Sequence, residues 1–269
     1  MCGTLSRMCY KPGARPPRLP DDLRRLPSIA GGALETRDLS LLSRDGTPFA
    51  AFAALPSGTS DVDVVIFPDM RGLTPFAEEV ALRLAEAGAA AIVFDYFGRT
   101  NGPVRPGPDF DTFSAMMLLT EDQIAGDAAA AARYLRDRGD AGVRRLVTLG
   151  FCAGGRHALL GAVPGSPLGS DGAIAFHPVL RPLPTVPAPI ERAARMRGPI
   201  LGLYGGSDEV VPLEEVRALD DALSRAGVDH EFHVYPGAPH GFFDPAGGFA
   251  PESEDAWRRV VTFLRLNAS

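Results

Sequence analysis

A run of small residues around one cysteine constrains the fold of this chain more than any other feature. Leu146 to Leu149 predict a buried strand, Gly150 to Gly155 read Gly-Phe-Cys-Ala-Gly-Gly, and Arg156 to Leu160 begin a predicted helix. A nucleophile between glycines at a strand-to-helix reversal is the nucleophile elbow, here with cysteine in place of serine. The turn strains the backbone at Cys152, so residues two positions away must lack a side chain. The helix N-terminus also favours a thiolate and a developing oxyanion.

The motif alone leaves two interpretations of Cys152 open, a nucleophile and a small buried hydrophobic residue. In doubly wound sheets, ligands bind beyond the carboxyl ends of the strands, so catalytic side chains should follow strands closely. Asp208 follows the predicted strand from Pro199 to Tyr204, and His240 lies in the loop after the predicted strand from Glu231 to Tyr235. Both are therefore candidate partners of the cysteine.

The order Cys152, Asp208, His240 is the chain order of nucleophile, acid and histidine in α/β-hydrolases. Taken singly, Asp208 could cap the helix after Pro212, and His240 could be a loop histidine with satisfied hydrogen bonds. Taken together, they favour a triad in which His240 draws the proton from Cys152 and Asp208 fixes the tautomer of the imidazole.

The oxyanion hole of such a site needs two backbone donors. The first should be the amide of Ala153, directly after the nucleophile, and the second should come from the loop after an earlier strand. That loop begins at Pro68, which has no N–H, so we expect the amide of Met70 to be the second donor.

The other histidines have weaker claims to a catalytic role. His157 lies one helical turn inside the elbow helix and is expected to point into packing. His177 follows a strand and could line the pocket, whereas His230 and His233 flank a strand as surface or edge residues. We see no cluster of further ligands beside them and expect no metal site.

Alternating strand and helix signals from about residue 60 onward predict one α/β domain. The expected architecture is the α/β-hydrolase fold, a doubly wound, mostly parallel sheet with helices on both faces and an opening hairpin. Residues 1–34 are expected to form an extended N-terminal arm, and residues 35–269 the domain. Residues 100–120 could form a lid over the pocket or pack a satellite core.

Composition excludes several classes of function. The net charge of −6 argues against nucleic acid and anionic membranes as partners, and no apolar run approaches the ~20 residues of a spanning helix. Lysine occurs only at Lys11, so the domain offers no Schiff-base or P-loop lysine. Three cysteines without a disulfide pattern fit a reducing cytoplasm, and the richness in alanine, glycine, proline and arginine suggests a bacterial source. The sequence does not separate a monomer from a homodimer.

With these residues in place, the chain resembles the dienelactone hydrolase family, or carboxymethylenebutenolidases. The resemblance covers roughly residues 35–267. Five stretches carry it: 68–72, 94–99, 150–155, 205–208 and 239–241. Met8 to Tyr10 also look like the start of some relatives, so the first seven residues could be an upstream extension.

The resemblance implies cofactor-free hydrolysis of a small lactone or ester through an acyl-cysteine. It places Asp69 where the family has a glutamate that contacts the resting thiol, and Arg99 where the family has an arginine that binds the substrate carboxylate. Tyr96, in the same stretch as Arg99, is expected to contact substrate. The family's second carboxylate-binding arginine is absent after His240, and Arg71 could replace it.

The expected function is hydrolysis of a small, anionic lactone, ester or thioester. An acyl transferase with the same triad stays open, as does a non-catalytic binding or scaffold protein on the same fold.

Overall fold

The apolar runs of the sequence assemble into one eight-stranded sheet in the order β1-β2-β4-β3-β5-β6-β7-β8. The computed structural model describes residues 10–11, 13–24, 34–138 and 144–266. The strands are β1 (Glu35–Leu42), β2 (Pro48–Leu55), β3 (Val62–Phe67), β4 (Ala90–Phe94), β5 (Arg145–Phe151), β6 (Gly172–Phe176), β7 (Ile200–Gly205) and β8 (His230–Tyr235).

The first two strands form the expected antiparallel hairpin, and β2 also runs antiparallel to β4. All other neighbouring strands are parallel. Parallel strands end at the same edge of a sheet, so the residues after β3, β5, β6, β7 and β8 converge there.

Helices cover both faces of the sheet. They are α1 (Pro75–Glu86), α2 (Gly98–Asn101), α3 (Thr112–Met117), α4 (Glu121–Arg136), α5 (Ala153–Gly161), α6 (Leu213–Arg225) and α7 (Ala250–Leu266). Alternate residues of β3 pack on opposite faces of the sheet. Val64 and Ile66 belong to the hydrophobic cluster that contains α1 and α7, whereas Val65 and Phe67 belong to the one that contains α4. The predicted doubly wound sheet with helices on both faces is confirmed.

The segment from residue 100 to 120 contributes mainly to the core. Met116 and Leu119 are buried in the same cluster as α4, and the ring of Phe110 lies 5.2 Å from that of Phe97. Phe113 and Leu118 stay exposed. The satellite-core alternative therefore describes this segment better than the lid.

The described part of the N-terminal arm packs on the face formed by α1 and α7. It contains a turn at Gly13 and a short 3-10 helix at Asp21–Leu23, and it contributes Tyr10, Leu19 and Leu23 to the core. Trp257 of α7 donates a hydrogen bond from Nε1 to the carbonyl oxygen of Pro17 at 2.9 Å. Residues 1–9 and 25–33 lie outside the described part, including Met8 and Cys9 of the motif that resembles the start of some relatives.

No helix in the described ranges is both long enough and apolar enough to cross a membrane.

The Trp257 bond gives a first prediction. Trp257→Phe removes the donor, leaves the Pro17 carbonyl without its buried partner, and should lower the free energy of unfolding by about 1–3 kcal/mol. Urea denaturation measures this loss. Leu266→Ala, at an exposed position of the same helix, should stay within about 0.5 kcal/mol of wild type. Equal stability of Trp257→Phe and wild type would contradict the anchoring role.

Candidate active site

The elbow has the strained geometry that its sequence predicts. Cys152 lies between β5 and α5 with φ of 55° and ψ of −116°, and its side chain is buried. A Cβ on Gly150 would lie 2.2 Å from the carbonyl oxygen of Gly154, and a Cβ on Gly154 would lie 2.2 Å from that of Phe67. Only glycine fits at these two positions, because helix and strand backbones meet there directly.

The structure brings the acid and the histidine together at this edge of the sheet. Nδ1 of His240 lies 2.8 Å from Oδ2 of Asp208, and both side chains are at least 95% buried. The other oxygen of Asp208 accepts hydrogen bonds from the amides of Val210 and Val211 at 2.8 and 3.0 Å. The carboxylate is thereby fixed in the orientation that holds the imidazole.

The loops that carry these two residues are bonded to each other. The amide of Gly206 donates to the carbonyl of Tyr235, and the amide of Ser207 donates to that of Ala238. A Cβ on Gly205 would lie 2.4 Å from the same Ala238 carbonyl oxygen. This close approach explains the glycines before Asp208.

Cys152 lies close enough to His240 to control its protonation. Burial alone would lower the pKa of His240, but the charge of Cys152 and the hydrogen bond to Asp208 raise that pKa to about 10. A side-chain hydrogen bond to Cys152 also raises the pKa of His240. The arrangement therefore favours an imidazolium beside a thiolate.

His177, whose role the sequence left undecided, is a neighbour of His240. Its ring centroid lies 4.4 Å from that of His240, and its φ of 35° is unusual for a residue other than glycine. Burial and the nearby His240 hold the pKa of His177 well below its usual range. His177 is thus a neutral ring that packs on His240. His157 is buried beside Phe67, as predicted.

The loop after β3 is held by Asp95. One carboxylate oxygen of Asp95 accepts a hydrogen bond from the amide of Leu73, and the other from the amide of Phe97, both at 2.9 Å. Burial raises the pKa of Asp95 to about 6, although these two amides lower it. Gly72 packs directly on this carboxylate with φ of +76°.

The proposed oxyanion donors lie where that loop meets the elbow. Within the described ranges, the amides of Met70 and Ala153 make no backbone hydrogen bond outside regular secondary structure. Tyr96 donates from its hydroxyl to the carbonyl of Pro68 at 2.8 Å. Tyr96 is fully buried and this bond supports the loop, while its expected contact with substrate stays a prediction. The oxyanion role of the two amides stays a prediction.

Asp69 is paired with a residue of its own loop. Its carboxylate accepts hydrogen bonds from the amide and Nε of Arg71, and Nη2 of Arg71 lies 3.1 Å from Oδ2. The carboxylate is buried and the guanidinium is partly exposed. This ion pair gives the first-loop acid a partner other than the Cys152 thiol.

Arg99 does not fit the role that the resemblance assigned to it. Its guanidinium forms a bidentate pair with Asp127, at 2.7 and 3.0 Å, and also bonds to Asp45 and Ser43. A substrate carboxylate would have to displace two carboxylates that already accept hydrogen bonds from the N–H groups of this guanidinium. The structure is therefore at odds with substrate binding by Arg99, which instead ties α2 to the opening hairpin and α4.

Known proteins are similar to most of this chain. The model of the dienelactone hydrolase family matches residues 49–267. A protein of Saccharolobus solfataricus named "Putative carboxymethylenebutenolidase" is 30% identical over 258 residues, which cover 82% of this chain and 95% of that protein. The carboxymethylenebutenolidase of Rhodococcus opacus is 30% identical over 218 residues, covering 79% of this chain and 83% of the relative.

A solved structure is similar over most of the chain. The crystal structure of a "Putative Dienelactone Hydrolase" from Klebsiella pneumoniae is similar with a TM-score of 0.75 at 25% sequence identity. The match covers 87% of this chain and 99% of that one.

The packing of Gly72 gives the prediction from this site. In Gly72→Ala, the new methyl group would lie 2.2 Å from Oδ1 of Asp95 on a backbone that disfavours side chains, so stability should fall by about 1–3 kcal/mol. Chemical denaturation measures the loss. Gly107→Ala is the matched control, because a Cβ there meets nothing within 4 Å. A Gly72→Ala protein as stable as the control would contradict this expectation, because it would show that the loop accommodates the methyl group without loss of stability.

Proposed function

The chain belongs to the dienelactone hydrolase family, and from this premise we propose that it hydrolyses a small lactone, ester or thioester through an acyl-cysteine, without a cofactor. The observation that carries the proposal is the buried hydrogen bond of 2.8 Å between His240 and Asp208, with Cys152 acting on the same imidazole. These are the partners that a cysteine nucleophile needs.

The mechanism follows from the charges in the site. His240 holds the proton of Cys152, so the thiolate sulfur attacks the substrate carbonyl and forms a bond to the carbonyl carbon. The amides of Met70 and Ala153 would stabilise the oxyanion of the tetrahedral intermediate. His240 then gives its proton to the leaving oxygen or sulfur. In the second half, His240 takes a proton from water, whose oxygen attacks the acyl-cysteine and releases the acid.

Arg71 is the residue that we propose for an anionic substrate group. Its guanidinium is partly exposed, and its two partner oxygens belong to the single carboxylate of Asp69. Arg99 has no such capacity, since two carboxylates occupy it. An anionic group that approaches Arg71 would also meet the negative charge of Asp69, so the preference for anions should be modest.

The nucleophile is tested by substitution. Cys152→Ala should lower kcat/KM by ~10³-fold or more, since removing the nucleophile leaves only binding and oxyanion contacts. Initial rates would be measured on dienelactone, a neutral aryl ester, an aryl ester with a free carboxylate and an acyl thioester. Circular dichroism checks that the variant is folded. Turnover of any of these substrates by folded Cys152→Ala at the wild-type rate would refute the acyl-cysteine.

The same panel separates hydrolysis from its alternatives. Release of free acid in many turnovers supports a hydrolase. One equivalent of acyl group retained on Cys152, seen by mass spectrometry of the intact protein, would instead indicate a binding protein that has lost deacylation. Faster loss of the acyl group to an added alcohol or thiol than to water would indicate a transferase.

The charge of the catalytic pair gives a pH prediction. The raised pKa of His240, about 10, means that the imidazolium persists across neutral pH and stabilises the neighbouring thiolate there. His240→Ala removes that charge, so alkylation of Cys152 by iodoacetamide at pH 6.5 should slow by roughly tenfold or more. Wild type and variant should become similar as the pH rises through the ordinary thiol range near 8.5.

His233→Ala is the matched control for this experiment, since His233 lies on β8 beside Asp255 and makes no contact with the triad in the described structure. Its alkylation rate should follow wild type at each pH. An equal slowing in both variants would remove the argument for a Cys152–His240 ion pair.

A further inference from the structure

Tyr10 of the N-terminal arm lies in the catalytic site, far in sequence from every other residue there. Its ring stacks on Phe76 with centroids 3.8 Å apart, and its edge contacts the rings of Phe151 and His177 at 5.9 and 5.7 Å. A Cβ on Gly241, the residue after the catalytic histidine, would lie 3.6 Å from the Tyr10 ring. The arm thus places an aromatic wall between the elbow and the His240 loop.

The hydroxyl of Tyr10 is buried and has no hydrogen-bond partner among the described residues. Tyr10 is 4% exposed, and its hydroxyl makes no hydrogen bond to any described residue. Buried hydroxyls are nearly always paired, and a lone one at a functional site calls for a missing partner. By contrast, the hydroxyls of Tyr96 and Tyr235 are bonded to Pro68 and Asp255.

Charged groups of the candidate site act on the Tyr10 hydroxyl. Burial raises the pKa of Tyr10 well above its usual value, and the charges of Asp69, Cys152 and Asp244 raise it further. The hydroxyl is therefore protonated, and its O–H is unused among the described residues, within electrostatic reach of Cys152. The acyl group of a substrate must lie beside Cys152 during attack, which brings an acceptor oxygen to this part of the site.

We propose that Tyr10 contacts the substrate, donating its phenol O–H to an oxygen of the bound acyl group, so that the N-terminal arm completes the pocket. The proposal rests on the proposed hydrolase function and adds a donor to it. The ring, fixed by Phe76, holds the hydroxyl in place with little loss of conformational freedom on binding. No bond to Tyr10 forms or breaks.

The test separates the hydroxyl from the ring. Tyr10→Phe keeps the stack on Phe76 and removes only the donor. In the full-length protein, kcat/KM for p-nitrophenyl acetate should fall about tenfold, equivalent to about 1.4 kcal/mol, while the melting temperature stays within about a degree of wild type. Tyr10→Ala should lose more activity, because the wall of the pocket is lost with the donor.

Tyr204→Phe is the matched control. The hydroxyl of Tyr204 is also buried and has no partner among the residues that the structure describes, but its ring packs on Phe232 of β8, and the charge that acts on it is that of Asp220. This variant should keep kcat/KM within twofold of wild type. It shows what the loss of an unpaired phenol hydroxyl costs where no substrate binds.

The outcomes distinguish this proposal from the one on which it rests. Tyr10→Phe with wild-type kcat/KM would overturn the donor role, even if Tyr10→Ala were impaired, and would leave the hydrolase standing. Wild-type turnover no faster than that of Cys152→Ala on the whole substrate panel would overturn both proposals. A tenfold loss in Tyr10→Phe matched by Tyr204→Phe would assign the effect to general packing and also overturn the donor role.

Discussion

The candidate active site depends on direct contact between backbones at the turn that holds Cys152. Gly150 approaches the carbonyl of Gly154, and Gly154 approaches that of Phe67, with no room for a methyl group at either position. Because of this contact, the first turn of α5 packs against the end of β3 as well as following directly from β5. The amide of Ala153 and the loop after β3 therefore meet beside the thiol. Without these two glycines, the helix would move away and the loop would lose its neighbour.

The electrostatics of the site rest on keeping one imidazole charged and its neighbour neutral. Two imidazolium rings 4.4 Å apart would repel each other strongly in a buried place. Burial lowers the pKa of His177 and so prevents this. At His240, Cys152 and Asp208 raise the pKa by more than burial lowers it. The positive charge is then concentrated between Asp208 and Cys152. The unusual backbone of His177 is part of this arrangement, since it places the ring against His240.

Local patterns in the sequence predicted the sheet, the elbow and the order of the candidate triad. The strands and the elbow are encoded over a few consecutive residues, as apolar runs or as glycines next to a turn, and the triad order follows from the predicted strand that precedes each candidate. Long-range pairing was not predictable in this way. Arg99 matches a family position, but Asp45 and Asp127, which engage it, lie 54 and 28 residues away in sequence. The hydrogen bond between Tyr96 and Pro68 joins residues 28 positions apart, and local patterns did not predict it either.

Tyr10 shows the same limit most clearly, because nothing in the pattern around it indicates catalysis. Only folding brings it against Phe76 and His177, and the arm is held there by contacts of its own further along the chain. Trp257 bonds to Pro17, and Arg258 forms an ion pair with Asp22. The anchor lies on α7 and the Tyr10 ring lies against Phe151 and His177, so one short segment joins the stability of the domain to the packing of the candidate site. A change at the α7 anchor can therefore alter the site without touching any member of the triad.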